Sequence, residues 1–187
     1  MIPRFIAILS FAIVLLAGCT NSVTLYTSPQ TSVGERIPSR FGSVEVLNVS
    51  LPSYASGEDL LVASTDGSLV SGNALWADDP TREMTLSLAR SLAQITGTRV
   101  APQPWPFDTV AEARVDVRIE RLLASNGALV LSGQYFVAAL DGKGRDRASL
   151  FDLRQPLPPE PDTAALVTAR SALVANLAVM IARNGLR

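Results

Sequence analysis

The side chains that most often perform chemistry in proteins are scarce in this sequence. Its 187 residues include one cysteine and no histidine. Without an imidazole, a Ser-His-Asp triad, a Cys-His pair and a histidine-containing zinc site are excluded. A single cysteine also excludes an internal disulfide and a thiolate cluster. We therefore expect a binding or scaffolding protein that is not an enzyme and needs no metal or cofactor. Catalysis by serine and carboxylate residues is the remaining enzymatic alternative.

The charged residues indicate neither a metal site nor a nucleic-acid surface. Asp78 and Asp79 are adjacent, but they directly precede Pro80, where an aspartate is expected to cap the first turn of a helix. The loop acids Glu58 and Asp59 lack the spacing of a calcium loop. Sixteen Lys plus Arg stand against 17 Asp plus Glu, so the formal charge is −1. This near balance lacks the basic excess that drives binding to nucleic acid.

The one cysteine stands where it could be chemically modified. A short basic start with Arg4 precedes an apolar run, Phe5–Leu16, and then small residues. This order is typical of a secretory signal peptide, and the run is too short to span a bilayer comfortably. The four residues that end at Cys19, LAGC, resemble a bacterial lipobox, in which the cysteine is acylated and the preceding bond is cut. We therefore predict a signal peptide over 1–18 and lipid attachment, palmitate included, at Cys19. An ordinary signal peptide with a chance cysteine is the alternative.

The residues after Cys19 indicate where such a lipoprotein is placed. Lipoproteins with Asp in the next position are commonly retained in the inner membrane, whereas here Thr20 follows. The resemblance implies an outer-membrane, lipid-anchored protein that faces the periplasm. Several acyl chains also meet the requirement for stable anchoring. The Ser-, Thr-, Pro- and Gly-rich composition predicts a flexible tether over 19–40, with a short strand near 23–26. Packing of its second half along the domain is the alternative.

Residues 41–187 are predicted to form one domain. Asp79 and Pro80 begin a helix that ends at Gly97. Its buried face recurs every three or four residues and consists of Met84, Leu88, Leu92 and Ile95. The pair Asp66-Gly67 predicts a hairpin between strands at 60–64 and 68–70.

Residues 113–154 predict a three-stranded antiparallel meander. Val115, Val117 and Ile119 alternate with charged residues, as in a strand that is buried on one face. The pair Asn126-Gly127 favours a type I′ turn, and a second turn is expected at 141–144. With a further strand at 42–51, the elements predict an α+β fold. In it, two helices pack on one face of a mostly antiparallel or mixed sheet.

The C-terminal helix, predicted from Asp162 or Thr163 through Ala182, is unusually apolar. Between 172 and 182 its only polar residue is Asn176, which is more apolar than one buried stripe requires. The helix is either buried deep in its own domain or presents a second face to another copy or a partner. Val174 and Val179 are the predicted residues of such an association face.

Three short aromatic segments give the sequence its most distinctive motifs. They read Leu-Pro-x-Tyr, Asn-x-x-Trp-Ala and a later Pro-rich step, in this order after the lipobox. In these motifs the chain resembles the ABC-type transport auxiliary lipoproteins, which include the PqiC-like lipoproteins of paraquat-inducible MCE systems. The matching residues are Leu51, Pro52, Tyr54, Asn73, Trp76 and Ala77, with weaker matches at Pro104 and Phe107. The chain departs from the family at 78–80, where Asp-Asp-Pro replaces the frequent acidic-Pro-Leu.

The resemblance implies a function without an enzymatic step. It implies a membrane-anchored lipoprotein component of an ABC/MCE-type transport system that moves lipids between the inner and outer membranes. Its implied partners are the membrane, an MCE-domain protein, inner-membrane transporter components and other copies of itself in a homo-oligomer. The alternative is a structural or assembly lipoprotein of the cell envelope without a transport role. Core or hairpin packing is the competing interpretation of Tyr54 and Trp76.

Overall fold

Two β-sheets and two helices make up the part of the chain that the structure describes, residues 23–63, 68–142 and 144–187 of a computed structural model. The larger sheet has five strands, which are β2 (Ser43–Val46), β5 (Arg99–Pro102), β6 (Ala113–Ser125), β7 (Ala128–Ala139) and β8 (Arg147–Pro156). Their order in the sheet is β5-β2-β6-β7-β8. Strand β2 pairs in parallel with both β5 and β6, whereas β6, β7 and β8 are antiparallel.

The predicted meander is confirmed by β6, β7 and β8. Val115, Val117 and Ile119 are buried, as their alternation with charged residues requires. Asn126 and Gly127 both have positive φ angles, 51° and 72°, as expected of a type I′ turn.

A β-bulge interrupts β6 between Ile119 and Arg121, opposite Gly133 of β7. A Cβ at Gly133 would lie 2.1 Å from the Arg118 carbonyl oxygen, so glycine is required by this close approach.

The smaller sheet has three strands in the order β1-β4-β3. They are β1 (Thr24–Tyr26), β3 (Asp59–Ala63) and β4 (Leu69–Trp76). Strands β3 and β4 are antiparallel and confirm the strands of the predicted hairpin, whose turn residues Asp66 and Gly67 lie outside the described residues. β1 pairs in parallel with β4. The prediction of one sheet was incomplete here, because a local pattern identifies a strand but not its partner.

The helices are α1 (Pro80–Thr96) and α2 (Thr163–Asn184), and both begin at the predicted caps. The Asp79 carboxylate accepts from the Arg82 N–H at 2.7 Å, and the Asp162 carboxylate accepts from the Ala165 N–H at 2.7 Å. The α1 helix contacts β2 and β5, α2 contacts β7 and β8, and the two helices contact each other. All of these elements share one hydrophobic core, so the predicted packing of two helices against the sheet is confirmed.

The apolar character of α2 is explained by its position in this core. The helix is long and apolar enough to cross a membrane by length and composition, but 61% of its most apolar stretch is buried in the domain. Val174 is 3% exposed, and Val179 is half-buried against the same core. Val174 therefore does not point outward in this chain. Because α1 and the larger sheet cover different sides of α2, burial in its own domain accounts for the excess of apolar residues.

The end of the segment that was predicted as a tether contacts the domain. Ile37 is buried, and its N–H donates to the Ile95 carbonyl at 3.0 Å. The Arg40 N–H donates to the Leu186 carbonyl at 2.9 Å, and Arg183 pairs with Glu35 at 2.6 Å. The second half of this segment thus packs along the domain, which was the alternative interpretation. Backbone hydrogen bonds to Ile95 of α1 and to Leu186, just beyond the end of α2, hold it there.

Candidate functional site

A narrow groove brings two of the predicted motif residues together. Tyr54 lies in a 3-10 turn, Ser53–Ala55, and Trp76 ends β4. Both side chains line a groove between the smaller sheet, the bulged end of the β6–β7 hairpin and the start of α2. The aliphatic part of its lining is formed by Leu60, Leu61, Val62, Leu122, Leu123, Leu129 and Leu166.

Tyr54 attaches the 3-10 turn to the larger sheet. Its hydroxyl oxygen accepts a hydrogen bond from the Leu122 N–H at 3.1 Å, just beyond the bulge in β6. The turn is closed locally by the Ala55 N–H, which donates to the Pro52 carbonyl at 2.8 Å. Leu51, directly before Pro52, packs half-buried against the core. The Leu-Pro-x-Tyr motif therefore fixes one wall of the groove.

Trp76 closes the opposite end of the groove. The backbone N–H of Trp76 donates to the Glu58 carbonyl at 2.7 Å. In the smaller sheet Trp76 pairs with Tyr26 of β1. The guanidinium carbon of Arg170 lies 4.0 Å from the centre of the Trp76 ring. Such a cation–π contact is strengthened by desolvation of the cation, and Arg170 is buried.

Arg170 is a residue of the candidate site that the sequence motifs missed. It is 3% exposed, yet it belongs to the most apolar helix of the chain. One of its nitrogens, Nη2, donates to the Pro80 carbonyl at 3.0 Å and to the Glu83 carboxylate at 2.9 Å. Its Nε has no hydrogen-bond partner among the described residues. The signal that could have found it is a lone arginine among the apolar residues of a buried helix face.

The pKa of Arg170 reflects this burial. Desolvation lowers the pKa of the guanidinium to about 10, although the charge of Glu83 acts in the opposite direction. Arg170 therefore stays protonated at neutral pH, and Glu83 is the carboxylate that compensates its charge. A buried pair of this kind holds α2 against the start of α1 at one defined position.

The other motif residues lie outside the groove. Asn73 is exposed on β4, and Ala77 donates its N–H to the Tyr26 carbonyl at 2.9 Å at the exposed end of the smaller sheet. Asn73 is part of β4, and Ala77 joins the end of β4 to β1. Neither residue lines the groove. Cys19 lies outside the described residues.

The groove suits an apolar side chain better than a whole lipid. Its cavity volume is about 60 Å³, which is room for only a few water molecules. A few polar groups stand among aliphatic walls, which is the usual composition of a recognition site. Asp59 contributes a carboxylate that accepts from the Ser71 hydroxyl at 2.7 Å. Within the described ranges, no group of three or more His, Cys, Asp or Glu residues could hold a metal ion.

Solved structures share this fold. An uncharacterized protein has a TM-score of 0.68 and 18% identity, with 86% of this chain and 97% of that chain covered. Protein XCC0632 from Xanthomonas campestris has a TM-score of 0.67 and 15% identity, with 84% and 92% covered. At such identities the likeness concerns the fold alone. Among curated proteins, none matches the sequence.

The family comparison identifies the chain. The model of the ABC-type transport auxiliary lipoprotein component matches residues 24–182. The match begins at β1 and ends within the last turn of α2, so it spans both sheets, both helices and the groove. It confirms the resemblance predicted from the aromatic motifs. The chain therefore belongs to the ABC-type transport auxiliary lipoprotein component family.

Proposed function

We propose that this protein is the docking component of an ABC/MCE-type system that moves lipids between the inner and outer membranes. The family match across the whole described domain carries this proposal, because it gives the chain an auxiliary role in transport. In this account the protein performs no chemical step. It is held at the outer membrane, facing the periplasm, and receives an MCE-domain protein that reaches it from the inner-membrane transporter.

The groove supports docking rather than carriage of the lipid. A cavity of about 60 Å³ is too small to enclose an acyl chain, but it can receive the end of one apolar side chain of a partner. Buried pockets that take one anchoring side chain often dominate the affinity of a protein interface. Tyr54 and Trp76 would then serve the family's function by shaping this pocket.

The attachment to the membrane forms the second part of the proposal. Cleavage after residue 18 and acylation of Cys19 would leave the mature chain bound to the bilayer by its first residue. Four residues of the sequence connect this cysteine to β1.

Affinity purification from solubilised envelopes tests the function. We expect the full-length lipoprotein, tagged at its C-terminus, to recover an MCE-domain protein and inner-membrane transporter components. The matched control is the same envelope preparation with an unrelated tagged outer-membrane lipoprotein. Recovery of cell-envelope assembly proteins without any MCE-domain protein would contradict the transport role and favour a structural lipoprotein.

A further inference from the structure

The three-stranded sheet exposes a large share of the apolar side chains that the domain leaves uncovered. Nine large apolar side chains are exposed in the described residues, and five belong to this sheet or directly precede it. They are Val23, Leu25, Val62, Leu69 and Val70. The three strands carry one charged residue, Asp59. Exposed apolar surface with so little charge indicates a contact surface.

The strand alternation divides these side chains between two faces. Val62 pairs with Val70, and their face is the one that continues to Trp76 and the groove. Leu25 pairs with Leu75, and Leu69 lies an even number of residues before Leu75 on the same strand. Val23, Leu25, Leu69 and Leu75 therefore share the face that points away from Arg170 and the body of the domain. We call these four residues the outer face. The same alternation places Ser71 and Asn73 between the two leucines of β4, and Asp59 pairs with Leu75.

The larger sheet, in contrast, carries charged side chains on its exposed side. Its helix-free side carries the ion pairs Arg118–Asp116 and Arg154–Asp152, at 2.7 and 3.0 Å. Hydrated charges of this kind keep a sheet surface in water. The larger sheet thus presents a surface suited to water, whereas the smaller sheet presents a surface suited to an apolar or interfacial environment.

The short segment between Cys19 and β1 limits how far the smaller sheet can lie from the membrane. Only residues 20–22 separate Cys19 from Val23. Four fully extended residue steps span at most about 14 Å. Because β1 is hydrogen-bonded to β4, the chain after Val23 adds no slack. An acylated Cys19 therefore keeps Val23, directly before β1, within about 14 Å of the lipid headgroups.

We propose that the outer face rests on the lipid bilayer that holds the acylated N-terminus. This inference rests on the proposed anchor at Cys19. Val23 and Leu25 come first after the anchor and are 55% and 62% exposed, so they are the side chains placed to enter the interface. The contact fixes the orientation of the groove relative to the membrane.

Lipid quenching of a fluorescent label tests this contact. The natural chain has one cysteine, and acylation blocks its thiol, so Leu25→Cys gives a single labelling position. The matched control is Leu150→Cys, an apolar residue of β8 that is 75% exposed. Both lipoproteins are labelled with bimane and reconstituted in phosphatidylethanolamine–phosphatidylglycerol vesicles that contain lipids brominated near the headgroup. We expect quenching several-fold stronger at position 25 than at position 150.

Three other results would overturn this inference, and each identifies the part of it that is wrong. Equally weak quenching at both positions, in protein that sediments with the vesicles, means that the domain stands clear of the bilayer while the anchor holds. Oxidative cross-linking between two Leu25→Cys chains, without lipid quenching, assigns the outer face to a second copy. Failure of both variants to sediment with vesicles shows that the anchor itself is wrong, and the proposed attachment then falls as well. Thermal melting of both variants verifies that each is folded.

Discussion

At the scale of single residues, one buried arginine connects most parts of the site. Arg170 contacts the Trp76 ring, the Pro80 carbonyl and the Glu83 carboxylate, and thereby joins β4, α1 and α2. Its pKa is lowered to about 10, still well above neutrality, so the group remains charged in both the folded and the unfolded chain near pH 7. Consequently, Arg170 adds no pH dependence to stability between about pH 6 and 8.

We expect Glu83→Gln to destabilise the fold more than Arg170→Met. The first change leaves a buried cation without its compensating charge, which costs about 2–4 kcal/mol. The second leaves a carboxylate that is 21% exposed and can be hydrated, so its cost is smaller, about 1–3 kcal/mol. Urea unfolding of the two purified variants measures the order. The double variant, Glu83→Gln with Arg170→Met, is the control and should be more stable than Glu83→Gln alone. The reverse order would show that Glu83 does not compensate Arg170.

At the scale of secondary-structure elements, the features set by neighbouring residues were predictable. The start of α1 at Asp79 and Pro80 was predicted, as was the turn at Asn126-Gly127 between β6 and β7. Both could be predicted because a helix cap and a tight turn depend on only a few neighbouring residues. The bulge at Ile119–Arg121 was not predictable. It depends on the close approach of Gly133 across the ladder, which no local pattern in β6 contains.

Replacing Gly133 tests the bulge. A methyl group there would meet the Arg118 carbonyl oxygen at 2.1 Å, so one strand must shift. We expect Gly133→Ala to lower the free energy of unfolding by about 1–3 kcal/mol. Gly57→Ala is the matched control, since nothing lies within 4 Å of its added Cβ, and it should be close to neutral. Equal stability of the two variants in chemical denaturation would mean that the hairpin tolerates a side chain at the bulge.

At the scale of the whole molecule, the fold class and the family were predictable from the sequence, whereas the arrangement of the site was not. The motif residues Tyr54 and Trp76 were selected separately, and only the packing of two sheets brings them to one groove. The parallel pairing of β1 with β4 joins residues about fifty positions apart, which alternation alone does not specify. Arg170 was missed for a related reason: its partners come from β4 and α1, far away in the sequence.

Membrane attachment is a property of the whole chain and has its own test. We expect Cys19→Ser to release the protein into the soluble periplasmic fraction, because the single acylated residue supplies the stable anchor. Fractionation of cells by osmotic shock and ultracentrifugation measures the distribution. A Ser10→Ala variant within the leader serves as a control and should remain in the membrane pellet. A Cys19→Ser protein that stays in the pellet would refute lipid anchoring at this residue.

Co-purification of the MCE-domain protein with groove variants tests whether the partner docks at the groove. Val62→Glu places a carboxylate at the wall of the groove, on a residue exposed enough to be replaced without unfolding. Leu150→Glu changes an exposed leucine on the other sheet and is the control. If the groove receives an apolar side chain of the partner, Val62→Glu should lower recovery of the MCE-domain protein by about tenfold or more, because a charge in the pocket opposes desolvation. Leu150→Glu should recover it like the natural protein. Equal recovery with both variants would contradict docking at the groove.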